Sequence, residues 1–292
     1  MWKKNVRSLL VGIALLGFTS ASLAAPVLQL DVYNPAEKAP FAVTSVQVTG
    51  EKDAILIDAQ FARPQAEQLV ERIRHSGKHL TTIYISHGDP DYYFGLQTLT
   101  AAFPQAKVMA SAPTVAYIKA TMAAKLAHWG PLMGDDAPTK LIVPEVLQGE
   151  GLILEGHELQ VIGLDGPQPE RSFVWIPSIK AVVGGVVLSN NIHVWMVDTQ
   201  SAASHRDWLA TLDKIKALEP LTVVPGHFLP GKLNPAQAVQ FTADYIKTFD
   251  TQAAKANDAA ALIASMKALY PDLGEESSLE LSAKVAKGEM QW

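Results

Sequence analysis

The chain has 292 residues, 48% of them hydrophobic, no cysteine and a formal net charge of −5. The missing thiols exclude disulfide staples and thiolate metal ligands, and the acidic balance argues against binding nucleic acid through a basic surface. The length suits one large α/β domain whose stability comes from its apolar core.

Lys3, Lys4 and Arg7 precede an apolar run over residues 9–18 and small residues around Ser22-Leu23-Ala24, the pattern of a secretory signal peptide covering residues 1–24. That run is shorter than the about 20 residues a permanent transmembrane helix needs. The processed protein is therefore expected to be periplasmic or secreted, without stable membrane insertion. Loss of the three basic leader residues takes the formal charge from −5 to −8. A small-molecule substrate is the expected partner, and nucleic acid is not.

Residues 28–33, 42–49 and 54–58 read as a meander of strands, rich in β-branched and alternating apolar residues. Pro64 opens an amphipathic helix with Leu69, Val70 and Ile73 on one face. Gly77 closes it before a strand over 80–86, completing a β-α-β unit. A short strand over 107–110 and a helix over 114–128 follow, then a loop marked by Gly130, Pro131, Gly134 and Pro138. The second half repeats the style, with strands over 159–163, 172–176 and 181–187, a helix over 202–218 and a last strand over 221–224. Beyond Pro235 the chain reads as helical, with a break at 271–274. Two sheets packed face to face with helices outside fit this order, with a doubly wound parallel sheet as the alternative. The expected organisation is one αββα domain over residues 25–250, with residues 251–292 as a helical extension packed on it.

Two stretches carry chemistry. Ser86-His87-Gly88-Asp89-Pro90-Asp91-Tyr92-Tyr93-Phe94-Gly95 follows an apolar strand, and Val223-Val224-Pro225-Gly226-His227 ends another. Side chains leaving strand ends converge on one point without disrupting the sheet, and imidazole and carboxylate are metal-holding groups. An Asp-Pro-Asp turn beside a histidine is also ordinary turn chemistry. His75, His79, His128, His157 and His205 are expected at surfaces or helix ends. His193 could approach the site or simply sit in a loop beside Trp195, and Trp129, Pro131, Leu132 and Met133 are candidates for an apolar substrate wall.

These stretches resemble the metallo-β-lactamase superfamily, whose signature is H-x-H-x-D-H after a strand and P-G-H late in the chain. Ala54-Ile55-Leu56-Ile57-Asp58 and the segment from Val174-Trp175-Ile176-Pro177-Ser178 to Gly184-Gly185 extend the resemblance to residues 29–248. It implies an αββα sandwich of two mixed sheets, and a metal-bound hydroxide attacking an ester, lactone, thioester or amide carbonyl. His87, Asp91 and His227 match the family pattern. Asp89 stands where the second histidine belongs, Tyr92 at the fourth ligand position and Gly185 at the bridging aspartate. The mid-chain histidine corresponds to Glu170, counted back from Trp175, with Asp165 competing.

The resemblance thus implies His87, Asp89, Asp91, Glu170 and His227 as metal ligands, with Asp91 and His227 catalytic and Asp91 the most sensitive carboxylate. Oxygen-rich ligands and a missing bridge imply at most one divalent ion, manganese or iron ahead of zinc. The expected function is an exported hydrolase acting on a small ester, lactone or related carbonyl compound. The alternative is a non-catalytic small-molecule-binding protein on the same scaffold. A metal-free Asp91–His227 pair could act as a general base, although no covalent nucleophile stands beside it.

Overall fold

The computed structural model describes residues 27–231 and 237–292, so the expected signal peptide over residues 1–24 lies outside the described residues. In chain order β1 (Gln29–Tyr33), β2 (Ser45–Thr49) and β3 (Asp53–Ile57) form the expected antiparallel meander. Helix α1 (Arg63–Ser76) buries Ala66, Leu69, Val70 and Ile73, and Gly77 ends it at φ 66°, the left-handed conformation that glycine adopts without steric cost. β4 (His79–Ile85) then pairs parallel with β3. Short helices α2 (Pro90–Tyr93) and α3 (Leu96–Ala102) lead to β5 (Lys107–Ala110), the long helix α4 (Ala112–Met133) and β6 (Glu145–Val146).

The second half contains β7 (Gly151–Leu154), β8 (His157–Ile162), β9 (Phe173–Ile176), β10 (Ala181–Val183) and β11 (Ser189–Asn190). Helix α5 (Ala202–Ala217), β12 (Thr222–Val223), β13 (His227–Phe228) and helices α6 (Ala238–Lys255), α7 (Ala259–Leu269) and α8 (Glu276–Ala286) follow. The first sheet runs β1-β2-β3-β4-β5-β6 and the second β12-β10-β9-β8-β7, while β11 and β13 pair by themselves.

Strand alternation builds the layers. Ile55 and Ile57 of β3 face Val174 and Ile176 of β9 across an apolar layer between the sheets. Their neighbours Ala54 and Leu56 turn outward to Leu69, Ile73, Val115 and Ile118 of the first helical layer. Phe173 and Trp175 turn the other way, onto Trp208, Leu212, Tyr245, Leu262 and Leu279 of the second. This is the αββα sandwich of two mixed sheets. It excludes the doubly wound single sheet, because β8, β9 and β10 pair antiparallel in a sheet of their own.

Three local expectations are corrected and one is extended. Helix α4 runs through Gly130 and Pro131 to Met133, since a proline in a last turn forfeits one backbone bond without unwinding the rest, and Gly134 at φ 56° stops it. β12 is not the last strand, because His227–Phe228 pairs with Ser189–Asn190. The expected helix break at 271–274 lies between α7 and α8, and a further one falls at residues 256–258, where Asp258 caps α7. His205 is buried rather than superficial, its Nδ1 2.6 Å from Asp250 Oδ1 and its Nε2 against the Thr199 carbonyl. Among the described residues no helix is long and apolar enough to cross a membrane.

Candidate functional site

The ends of β3, β4 and β10 meet at one buried junction. Asp58, at φ 66° just beyond β3, accepts hydrogen bonds from the Ser86 amide at 2.8 Å and the Ser86 hydroxyl at 2.6 Å. That hydroxyl in turn accepts from the Gly185 amide at 2.7 Å, so one serine ties the two sheets together beside His87. Gly95 is required by crowding, since a Cβ there would overlap the Ala59 carbonyl, and Gly226 is required by the approach of Gly185 and the Tyr92 hydroxyl.

The expected site residues come together as two pairs. His87, nearly fully buried, has its Nε2 3.0 Å from Asp89 Oδ2 and its Nδ1 3.0 Å from the main-chain carbonyl of Glu170. His227 donates from Nε2 to Asp91 Oδ2 at 2.7 Å, while its Nδ1 lies 3.2 Å from the Tyr92 hydroxyl. The Tyr92 ring stands between the imidazoles, its centroid 5.3 Å from that of His87 and 5.6 Å from that of His227. Burial of the His227 ring disfavours its charge. The hydrogen bond and charge of Asp91 outweigh that and raise its pKa above the ordinary histidine value.

Two cations absent from the sequence expectations face these groups. Lys125 of α4 binds Asp89 Oδ1, lies 3.2 Å from the Tyr117 hydroxyl and has its Nζ 4.6 Å from the Tyr117 ring centroid. Burial opposes the charge on Asp89, but His87 and Lys125 together hold its pKa far below the usual carboxylate range. Arg171 is buried with its guanidinium 4.3 Å from the Trp208 ring, and its Nε and Nη2 have no hydrogen-bond partner among the described residues. A sequence signal for Lys125 existed: Tyr117, Thr121, Lys125 and His128 recur at the three- and four-residue spacing of one helical face.

Asp89, Asp91, Lys125 and His227 open on a cavity of about 420 Å³, walled by Phe41, Tyr117, Trp129, Trp195, Trp208 and Trp292. Trp195 and Trp292 both donate indole N–H groups to Asp198, at 2.6 and 2.9 Å, which fixes Trp292 in the wall. Of the proposed wall only Trp129 lines the cavity, while Leu132 is 74% exposed. His128, expected at a surface or helix end, also lines it. His193 is buried elsewhere, its Nδ1 3.1 Å from the Tyr245 hydroxyl, and burial lowers its pKa to about 4. Asp165 is a surface residue, 3.4 Å from Lys214, which removes it as the competitor of Glu170.

The donors do not fit a resident metal. A ligating imidazole needs a ring nitrogen with a free lone pair, and both nitrogens of His87 and of His227 are engaged. Asp89 already holds an ammonium, Glu170 meets His87 through its carbonyl, and Gly185 has no side chain. Among the described residues no group of three or more His, Asp or Glu side chains is arranged to hold a metal ion.

Asp58 carries a testable pH dependence. Its complete burial pushes the carboxyl up to about 7, against the lowering effect of the Ser86 hydrogen bonds, while His87, Asp91 and Tyr84 lie within electrostatic reach. The folded state therefore holds a proton that the unfolded state releases near pH 4, and stability falls as pH rises from about 4 to about 7. Asp58→Asn, a neutral mimic, should flatten that decline, by roughly 4 kcal/mol at most. Urea unfolding across this range measures it, and parallel profiles for the two proteins would refute it.

Residues 39–227 match the metallo-beta-lactamase superfamily profile. Among solved structures, TMB-1 is 19% identical over 77% of this chain and 99% of its own, with a TM-score of 0.50. The metallo-beta-lactamase IND-7 is 17% identical over 75% of this chain and 91% of its own, with a TM-score of 0.51. At such identities the likeness bears on the fold alone. No curated protein matches the chain. Because the profile covers more than half of the sequence and the sandwich agrees with it, the chain belongs to the metallo-beta-lactamase superfamily.

Proposed function

We propose that the protein is an exported hydrolase of a small, largely apolar ester, lactone or related carbonyl compound. The carrying observation is the 2.7 Å Asp91–His227 pair opening on an aromatic cavity of about 420 Å³. His227 fixes Asp91 from one side, and the side chain of Asp91 remains 10% exposed toward the cavity. There Asp91 takes a proton from water as the water oxygen attacks the carbonyl carbon. The carbonyl electron pair moves to its oxygen, near the positive end of Lys125. Collapse expels the alcohol oxygen, which receives the proton back from Asp91. The aromatic walls bind the acyl or alcohol portion. Export is supported by the leader-like first 24 residues.

A single manganese, iron or zinc ion held by His87, Asp89, Asp91, Glu170 and His227 has no part in this reading, because those donors are committed to one another or to Lys125. The same commitment favours one other reading, a non-catalytic binding protein that keeps its ligand in the cavity. Aryl esters and lactones offered with a chelator present separate the cases, with tryptophan fluorescence reporting occupancy. Turnover that survives chelation supports the hydrolase. Binding without turnover favours the binding protein, and loss of turnover on chelation restores a metal.

A further inference from the structure

We propose that Lys125 is a built-in replacement for a metal ion, so that this site is assembled and charge-balanced by the chain itself and excludes divalent cations. The inference rests on the same cleft as the proposed hydrolysis but concerns its charge rather than its turnover. Lysine is almost never buried without a partner, yet the Lys125 side chain is only 19% exposed. Its ammonium is bound by Asp89 Oδ1, by the Tyr117 hydroxyl and by the face of the Tyr117 ring.

Asp89 occupies the signature position where the family places a ligand histidine, and it joins the Lys125 ammonium to the His87 imidazole through its two oxygens. A buried carboxylate stays ionised only where a cation or hydrogen bonds offset its lost hydration; otherwise a proton enters. Here the cation arrives on a helix, and the buried Arg171 guanidinium lies within electrostatic reach of Asp89, Glu170 and Asp198. A divalent ion would have to expel a tethered ammonium, leave that charge nearby and break a hydrogen bond of each histidine. The lysine therefore also explains why Glu170, Tyr92 and Gly185 can depart from the family's ligand types without leaving uncompensated charge.

Metal content and zinc-dependent melting of the purified protein test the proposal. Wild type and Lys125→Arg, which keeps the charge, should retain no stoichiometric zinc, manganese or iron after dialysis and should melt within about 1 °C with or without zinc. Lys125→Met, which keeps the apolar stem but frees Asp89, should gain one zinc and a zinc-dependent rise in melting temperature on the order of 5 °C. Adding Asp89→Asn should abolish the gain. One tightly held metal in wild type overturns the proposal, as does a folded Lys125→Met protein that gains none. Lys125→Gln serves if the methionine variant does not fold, and a tightly held metal in wild type overturns the proposal whatever the variants do. Should every ester fail while this metal pattern holds, the hydrolase reading falls and the lysine assignment stands.

Discussion

Asp91→Asn should lower kcat toward an ester or lactone by roughly 10²- to 10⁴-fold, the range for removing a positioned general base, with little change in KM. The amide keeps the shape of the carboxylate, and its oxygen can still accept the His227 N–H that Asp91 Oδ2 accepts at 2.7 Å. It cannot take a proton from water. Because the proposed substrate is held by the aromatic wall rather than by Asp91, the expected loss belongs to the transition state rather than to binding. Steady-state kinetics with one chromogenic ester checks this, and turnover within about threefold of wild type would remove Asp91 from the chemistry. Binding measured in parallel by fluorescence guards against a variant that has merely lost its cavity.

Gly185→Asp, the substitution that restores the family's bridging carboxylate, should destabilise the protein by about 4 kcal/mol and lower its melting temperature by on the order of 10 °C. Gly185 sits at φ 79°, and a Cβ there would overlap the Ser172 carbonyl oxygen. Its amide also donates to Ser86 Oγ, which is braced by Asp58, so the backbone has little freedom to retreat. Gly185→Ala isolates the backbone and contact cost, and the aspartate adds a buried charge near Tyr92. Thermal unfolding measures both. A Gly185→Asp protein that melts within about 2 °C of wild type would show that the loop can yield, contrary to the geometry.

The fold was largely legible because its signals are local. Leu69, Val70 and Ile73 repeat at helical spacing, Gly77 supplies the left-handed cap, and β3 and β9 alternate their faces or run continuously apolar. The short strands β6, β11 and β13, two residues each, were not legible. Segments of two residues have no periodicity, and they become strands only when a neighbour supplies hydrogen bonds. The continuation of α4 past Pro131 escaped for a related reason, since proline marks a break locally while packing decides whether one occurs.

For the site, the sequence by itself brought forward the two loops whose side chains converge on the cavity. His87, Asp89 and Asp91 follow β4, and His227 begins β13 beside them, because both stretches end apolar strands and match one family's pattern. Only the tertiary structure decided how these groups are paired. Asp91 joins His227 across 136 positions, His87 meets the carbonyl rather than the carboxylate of Glu170 across 83, and Lys125 reaches Asp89 across 36. The physical reason is that composition shows how many acids and imidazoles are available but not where the compensating charge sits. A buried carboxylate can be neutralised by a metal, a proton or an ammonium, and the choice here was made by the face of α4 that packs over the loop.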